Sequence, residues 1–177
     1  MEIKGYLSNQ LGFSETGNFI LDNLIKPKIK QSNIVILDPF AECKKALDFD
    51  HLNHLQSYKE VDHFWKTFNA KVTVINNGLM QQADCMLAIL DGGHTVDDGV
   101  ASEIGYYAAL EKGPIFALRS DIRLAENLAA KINPQVLGYI TQSGGKLFEG
   151  ENAFENWATH INSWSQEQFR AMDATTV

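Results

Sequence analysis

The sequence predicts an α/β fold in which a parallel sheet of about five strands carries helices on both faces. Short apolar runs alternate along the chain with segments of helical periodicity, and this alternation is the mark of strand–helix–strand units. The apolar runs are also continuous, as expected for strands that are buried on both faces. Together these observations predict a doubly wound sheet of the flavodoxin or Rossmann type.

The first two strands are predicted close to the N-terminus. Residues 3–8 are predicted to form the first strand and residues 9–17 a loop. Apolar residues at helical spacing predict a helix over 18–29. The continuous apolar run Ile34–Leu37 predicts the second strand, which ends at Asp38.

The stretch 41–70 mixes aromatic residues with Asp, His and Asn, and its interpretation stays open between a partly exposed helical segment and a mobile insertion over the functional site. Its three histidines do not follow the spacing of zinc-binding motifs, so we expect no metal site. A helix is predicted over 64–82. The β-branched residues at 72–75 also fit a strand, and the sequence leaves that choice open.

A buried strand over 85–90 and a glycine-rich acidic turn lie at the centre of the prediction. A helix over 100–111 follows the turn, and Gly113 is predicted to cap its C-terminus. The next strand is predicted over 114–119. Because parallel sheets bind ligands at the carboxyl ends of their strands, the acidic turn is a candidate functional site.

The last part of the chain is predicted to contain a short helix over 124–131 and a final strand over 136–141. Residues 143–145 and 148–150 are predicted to be turns. A C-terminal helix is predicted over 151–170.

The composition is that of one globular domain, predicted over 1–170 with a frayed tail at 171–177. Hydrophobic residues make up 45% of the 177 residues, and charged residues 21%. A net charge of −7 argues against nucleic acid as a partner. The sequence contains no signal-peptide core and no apolar run of membrane-spanning length, so we expect a cytoplasmic protein without a membrane partner. The two cysteines, Cys43 and Cys85, follow no disulfide or zinc pattern.

Four carboxylates crowd the predicted connection between the strand over 85–90 and its helix: Asp91, Asp97, Asp98 and Glu103. The glycines there match neither a dinucleotide-binding motif nor a P-loop, and the carboxylates would repel a phosphate. Acidic groups suit the binding of sugar hydroxyls and attack on an oxocarbenium-like carbon. From spacing alone, the better explanation of Glu103 is a first-turn acid that complements the helix dipole.

Three segments of the chain carry a recognisable signature. They are the apolar strand after an Asp at 83–88, the loop Asp97-x-Gly99, and the helix start Ala-Ser-Glu-Ile-Gly-Tyr-Tyr-Ala at 101–108. With the N-terminal segment 6–13, they resemble the first strand, substrate loop and central motif of the nucleoside 2-deoxyribosyltransferase family. The resemblance spans about residues 5–160.

The resemblance implies that Glu103 is a nucleophile. It would attack C1′ of a 2′-deoxynucleoside, expel the base, and hold the sugar as an ester until a second base attacks. Tyr6 would orient the Glu103 carboxylate. No cofactor is implied, and the partners are a deoxynucleoside and a free nucleobase.

The resemblance also implies a set of substrate-binding residues: Asp97, Asn76, Asn133, Phe13, Gly99 and Ser102. Asp97 would hold sugar hydroxyls and Phe13 would stack against the base. Asn133 would bind the 5′-hydroxyl end of a substrate in the neighbouring subunit, which implies a homo-oligomer with sites completed across subunits.

The chain departs from many relatives at Asn76, where they carry an Asp that handles the base and others carry Asn. An amide is not a proton donor of the carboxylic-acid type, so the group that protonates the leaving base stays open. Capping of a helix end is the alternative role for Asn76.

Two other functions stay open from the sequence. One is an N-glycosidase of deoxynucleoside 5′-monophosphates that uses the same Glu and binds phosphate through Arg119 or Arg123. The other is a sensor that binds nucleosides without turnover, which the joint presence of Tyr6, Asp97, Glu103 and Asn133 disfavours.

Overall fold

The structure, a computed structural model, describes residues 2–124, 127 and 129–174. Five strands in these residues form one parallel sheet: β1 (Ile3–Asn9), β2 (Ile34–Leu37), β3 (Cys85–Ile89), β4 (Ile115–Arg119) and β5 (Lys146–Glu149). Their order in the sheet is β2-β1-β3-β4-β5, which is the doubly wound, flavodoxin-like order. The predicted fold class is confirmed.

Helices cover both faces of the sheet. They are α1 (Glu15–Ile20), α2 (Lys26–Lys30), α3 (Pro39–Ala46), α4 (Phe49–His54), α5 (Tyr58–Gln82), α6 (Asp98–Leu110), α7 (Pro134–Gln142) and α8 (Ala153–Ala174). A 3-10 turn at Leu11–Phe13 precedes α1, and a π-helical turn at Leu21–Ile25 joins α1 to α2. Within the described residues, no helix combines the length and the apolar character needed to cross a membrane.

Alternate residues of the central strands supply two separate cores. Leu7 and Leu87 belong to the core beneath α2 and α8, where the fully buried Trp157 donates its indole N–H to the Phe116 carbonyl at 3.0 Å. Tyr6, together with residues of α5, α6 and α7, belongs to the core on the other face. Burial of both faces explains why the central strands read as continuous apolar runs.

The prediction of a final strand over 136–141 is wrong, because these residues form part of α7. Asn133 caps that helix by accepting a hydrogen bond from the backbone N–H of Gln135 at 2.9 Å. Val136 and Ile140, four residues apart, are the positions of the helix that are buried. The fifth strand is instead β5, which overlaps the turn predicted over 148–150. It is a short edge strand with a single buried position, and so lacks the pattern of a central strand.

Two helices begin earlier than predicted because of their caps. Ser57 and Glu60 form a capping box that starts α5 at Tyr58, and the β-branched residues at 72–75 are helical. The N-terminal helix starts at Glu15 because the Ser14 side chain caps it.

Towards the C-terminus, part of the predicted helix over 124–131 lies outside the described residues, namely 125, 126 and 128. The described residues of this stretch are not helical, so the prediction is wrong there, and Asn127 pairs with Ala130 in an isolated antiparallel bridge. Helix α8 continues to Ala174, so the predicted frayed tail is helical up to that residue, and 175–177 lie outside the described residues.

Gly113 was predicted to cap α6, but Glu111 takes the left-handed conformation there, with a φ of 52°. Gly113 is needed for a close approach between chain segments. A Cβ at Gly113 would lie 2.0 Å from the carbonyl oxygen of Asp84, the residue before β3. This contact brings the start of β4 against the start of β3.

We therefore expect Gly113→Ala to reduce the free energy of unfolding by about 2–3 kcal/mol, because the backbone has to move apart to admit the methyl group. Gly78→Ala is the matched control. Gly78 lies inside α5 with nothing within 4 Å of an added Cβ, so this change should increase the free energy of unfolding by about 0.5–1 kcal/mol. Urea denaturation measures both, and an equal effect of the two substitutions would contradict the packing argument.

Candidate active site

A cavity of about 340 Å³ opens where the end of β1 meets the start of α6, at the carboxyl edge of the sheet. This is the switch point of the sheet, the place where doubly wound folds bind ligands. It is lined by Asn9, Phe13, Pro39, Phe40, Cys43, Phe68, Val72, Asn76, Asp97, Gly99, Val100 and Glu103. The lining therefore combines an apolar wall, which includes three aromatic rings, with a pair of carboxylates.

The Glu103 carboxylate is the best-connected polar group in the cavity. The Tyr6 hydroxyl donates a hydrogen bond to Oε1 at 2.7 Å, and the Asn76 amide donates to the same oxygen at 3.1 Å. The Ser8 hydroxyl donates to Oε2 at 2.6 Å. The donors come from β1 and α5, so this one carboxylate joins three elements of the fold.

Local sequence explains how these groups converge. Tyr6 and Ser8 are two residues apart on β1, so both side chains point to the same face of the sheet. Asp97 caps the N-terminus of α6, where its carboxylate accepts a hydrogen bond from the Val100 N–H at 3.1 Å. Glu103 lies four residues after Gly99, which places both on the side of the helix that lines the cavity.

Burial raises the pKa of the Glu103 carboxyl above its ordinary value, and the nearby Asp97 carboxylate adds to the increase. The hydrogen bonds from Ser8, Tyr6 and Asn76 act in the opposite direction and offset part of it. Burial and the neighbouring Glu103 also raise the pKa of Tyr6 well above its usual range, so that Tyr6 remains a neutral donor. The site thus holds a carboxylate that is paired by neutral donors rather than by a cation.

The apolar wall is built from the loop after β1 and from α3 and α5. Phe13 is 77% exposed and meets the Phe40 ring edge-to-face, with the ring centroids 4.9 Å apart. Gly12 makes room for this pair, since a Cβ there would lie 2.6 Å from the Phe40 ring. Phe68 adds a further aromatic ring from α5. The stretch 41–70, whose role was left open, thus supplies part of the cavity wall from two helices.

The structure brings together most of the residues that the sequence singled out: Tyr6, Phe13, Asn76, Asp97, Gly99 and Glu103. Asn76 does not cap a helix end, because it lies inside α5. Its amide nitrogen donates to Glu103, and its oxygen accepts a long hydrogen bond from the Cys43 thiol at 3.6 Å.

Ser102 and Asn133 are not part of the cavity lining of this chain. The Ser102 hydroxyl donates to the Gly99 carbonyl at 2.8 Å on the exposed side of the first turn of α6. Asn133 is exposed at the start of α7.

Several of the residues that line the cavity were not singled out from the sequence. Nor was Ser8, whose hydroxyl contacts Glu103. The signal for Ser8 was present, because the two-residue period of a strand places it beside Tyr6. Phe40, Cys43, Phe68 and Val72 carry no such signal, since they reach the cavity through the packing of α3 and α5 on the sheet.

The two arginines considered as phosphate ligands are engaged elsewhere. The Arg119 side chain is fully buried and donates to three carbonyl oxygens of the β3–α6 loop, those of Leu90 (2.5 Å), Gly93 (3.1 Å) and His94 (2.9 Å). Arg123 pairs with Asp121 and holds the pKa of that carboxyl well below its usual range. Neither arginine belongs to the cavity lining.

Because the pKa of Glu103 is raised, the free energy of unfolding should depend on pH. The folded protein holds a proton on Glu103 more readily than the unfolded chain does, so this group favours folding most below the ordinary glutamate pKa of about 4.3. The contribution is lost as the pH rises through the raised pKa of the folded state. Glu103→Gln keeps the shape, because its oxygen can accept from Tyr6 and Asn76 while its new amide donates to the Ser8 oxygen. We expect this variant to be more stable than the wild type at neutral pH.

Urea denaturation at neutral and acid pH measures this effect, and the difference should narrow towards acid pH. Glu167→Gln, at an exposed position of α8, is the control and should change the free energy of unfolding little at either pH. A stability difference for Glu103→Gln that does not depend on pH would contradict the electrostatic explanation.

Solved structures that share this architecture include the following two chains. A conserved protein from Enterococcus faecalis V583 superposes with a TM-score of 0.65 at 21% identity, over 92% of this chain and 99% of its own. A 2-desoxiribosyltransferase from Leishmania mexicana superposes with a TM-score of 0.53 at 19% identity, over 89% of this chain and 98% of its own. At these identities the superpositions establish the fold.

No curated protein sequence matches the chain at a significant level. A protein family does match the chain. The sequence profile of the family described as nucleoside 2-deoxyribosyltransferase matches residues 6–156, a range that contains Tyr6, Asn76, Asp97 and Glu103. The resemblance that the sequence indicated is confirmed, and the chain belongs to the nucleoside 2-deoxyribosyltransferase family.

Proposed function

We propose that this protein transfers 2-deoxyribose from one nucleobase to another through an ester between the sugar and Glu103. The observation that carries this proposal is the Glu103 carboxylate itself, held by three neutral donors at the edge of a cavity with an aromatic wall. Family membership supports a deoxyribosyltransferase-type enzyme. The geometry supports Glu103 as the group that reacts.

In the first displacement, a carboxylate oxygen of Glu103 forms a bond to C1′ while the bond from C1′ to the base nitrogen breaks. The electron pair of that bond goes to the base, which takes up a proton from water. The transition state has oxocarbenium character, and a carboxylate close to C1′ stabilises it. Partial burial strengthens that interaction, because the local dielectric is lower than in water.

In the second displacement, a nitrogen of the incoming base bonds to C1′ and the ester bond breaks, which returns the electron pair to Glu103. The acceptor base loses its proton to water. Two inversions at C1′ restore the original configuration, as in retaining glycosidases.

Substrate contacts follow from the two sides of the cavity. Asp97 lies beside Glu103 and is placed to accept hydrogen bonds from sugar hydroxyls. Gly99 has no side chain, so the sugar can approach the start of α6. The flat faces of the base suit the wall of Phe13, Phe40 and Phe68, because stacking on aromatic side chains does not depend strongly on which base is bound.

Asn76 and Ser102 act in this proposal on the protein rather than on the base. Both ends of the Asn76 amide are engaged, with Glu103 and with Cys43, which supports a role in orienting the nucleophile. Ser102 supports the first turn of α6 through the Gly99 carbonyl.

Asn133 fits the proposal through a neighbouring subunit. It is exposed at the start of α7 and outside the cavity of its own chain, so a homo-oligomer could present it to another site. We therefore propose a homo-oligomer whose sites are completed in this way.

The lining favours a nucleoside over a nucleotide as the sugar donor. None of the described lining residues is a Lys or Arg, and Asp97 and Glu103 would repel a phosphate group. The two arginines that could have bound phosphate are committed to the β3–α6 loop and to Asp121.

Glu103→Gln should reduce base exchange by at least roughly a thousandfold, because the amide is a poor nucleophile and the fold is kept. Chromatography of a deoxynucleoside incubated with a different free base measures the exchange. In the wild type, the rate should fall at acid pH through a pKa higher than that of ordinary glutamate, since the carboxylate has to be ionised to attack. Near-normal exchange by Glu103→Gln would rule out Glu103 as the nucleophile.

The hydrolase alternative is tested by the choice of donor and acceptor. We expect a 2′-deoxynucleoside to exchange its base roughly tenfold faster than the corresponding 5′-monophosphate. The Asp97 and Glu103 carboxylates repel the phosphate, and a repulsion of about 1.4 kcal/mol corresponds to a factor of ten. Reactions without acceptor base should release free sugar slowly. Faster cleavage of the monophosphate, with release of deoxyribose 5-phosphate and no base exchange, would establish the hydrolase instead.

A further inference from the structure

The two oxygens of the Glu103 carboxylate are held unequally. A carboxylate offers about two acceptor positions on each oxygen. Oε1 accepts from both Tyr6 and Asn76, so its positions are filled. Oε2 accepts from Ser8 alone among the described residues, which leaves one position on Oε2.

Ser8 contacts the carboxylate without belonging to the cavity lining. Its side chain is fully buried on β1, and the 2.6 Å separation is that of a charge-assisted hydrogen bond. Because an ionised carboxylate has no proton to give, the Ser8 hydroxyl is the donor. Ser8 therefore acts through Glu103 and not on the substrate.

We propose that Oε2 is the oxygen that bonds to the sugar, and that Ser8 is a positioning residue that favours release of the sugar from it. This inference rests on the proposed function. In the first displacement, the free electron pair of Oε2 forms the bond to C1′. In the second, the electron pair of the C1′–Oε2 bond returns to Oε2 as the acceptor nitrogen attacks.

Formation of the ester changes the two oxygens of Glu103 differently as hydrogen-bond acceptors. Oε1 becomes the ester carbonyl, which still accepts hydrogen bonds from Tyr6 and Asn76. Oε2 becomes the singly bonded ester oxygen, which is neutral and a weaker acceptor than a carboxylate oxygen. The Ser8 hydrogen bond is therefore strong in the free enzyme and weak in the ester, and it shifts the balance towards the free carboxylate.

The test is Ser8→Ala, assayed with a deoxynucleoside and acceptor base. Acid quenching and intact-protein mass spectrometry measure the fraction of enzyme that carries a deoxyribosyl ester. We expect the ratio of ester to free enzyme to rise by roughly tenfold or more relative to the wild type, as expected for loss of a hydrogen bond to a charged group. Asn76→Ala removes a donor from Oε1 instead and should change this ratio much less.

A second readout does not depend on turnover. Carboxyl ¹³C NMR titration, with the Glu103 signal identified by its absence in Glu103→Gln, should show a higher pKa for Glu103 in Ser8→Ala than in the wild type. If Ser8→Ala does not fold, Ser8→Cys keeps the size with a weaker donor and should show smaller changes in the same directions.

An unchanged ester ratio in the Ser8 variants would overturn the inference, as would an equal rise in Asn76→Ala. A wild type that shows neither exchange nor ester would refute the proposed function. In that case the titration would still decide separately whether Ser8 acts on Glu103, and an unchanged pKa in Ser8→Ala would show that it does not.

Discussion

A half-buried carboxylate without a cationic partner is the constraint on which the rest of the structure depends. Removal of Glu103 from water disfavours its charge, and the three hydrogen bonds it accepts compensate for only part of that cost. The donors require two different parts of the fold to be in place. The pairing of β1 with β3 positions Tyr6 and Ser8, and the packing of α5 against α6 positions Asn76. The cost is the kind of local destabilisation that functional sites retain.

The central part of the fold was predictable because burial on both sides leaves a strong pattern. β1, β2, β3 and β4 lie at or near their predicted positions, and the doubly wound order follows from the alternation of strands and helices. The edge of the sheet was not predictable in the same way. β5 is short and largely exposed, whereas α7 is amphipathic with β-branched residues that also suit a strand. At that edge, the caps of the helices decide the structure more than the apolar pattern does.

Prediction of the site was limited for a different reason. Spacing alone marked Glu103 as a helix-start acid, and the family signature was needed to make it a candidate nucleophile. The partners that hold it are separated from it by up to 97 positions in the sequence, and no local pattern connects them. Cys43 and Phe68 reach the cavity only after α3 and α5 have packed on the sheet. The candidate nucleophile was therefore easier to predict than the residues that surround it.

The hydrogen bonds from Arg119 to the β3–α6 loop determine which residues of that loop can be substituted. The Arg119 guanidinium binds carbonyl oxygens, which every residue possesses, so it holds the shape of the loop whatever side chains the loop carries. Gly92 is the exception, because its φ of 116° excludes other residues. Substitutions at His94 and Thr95 can therefore alter the charge and bulk of the loop while Asp97 stays at the start of its helix. The side chains of this loop and the backbone that positions Asp97 can therefore change independently of each other.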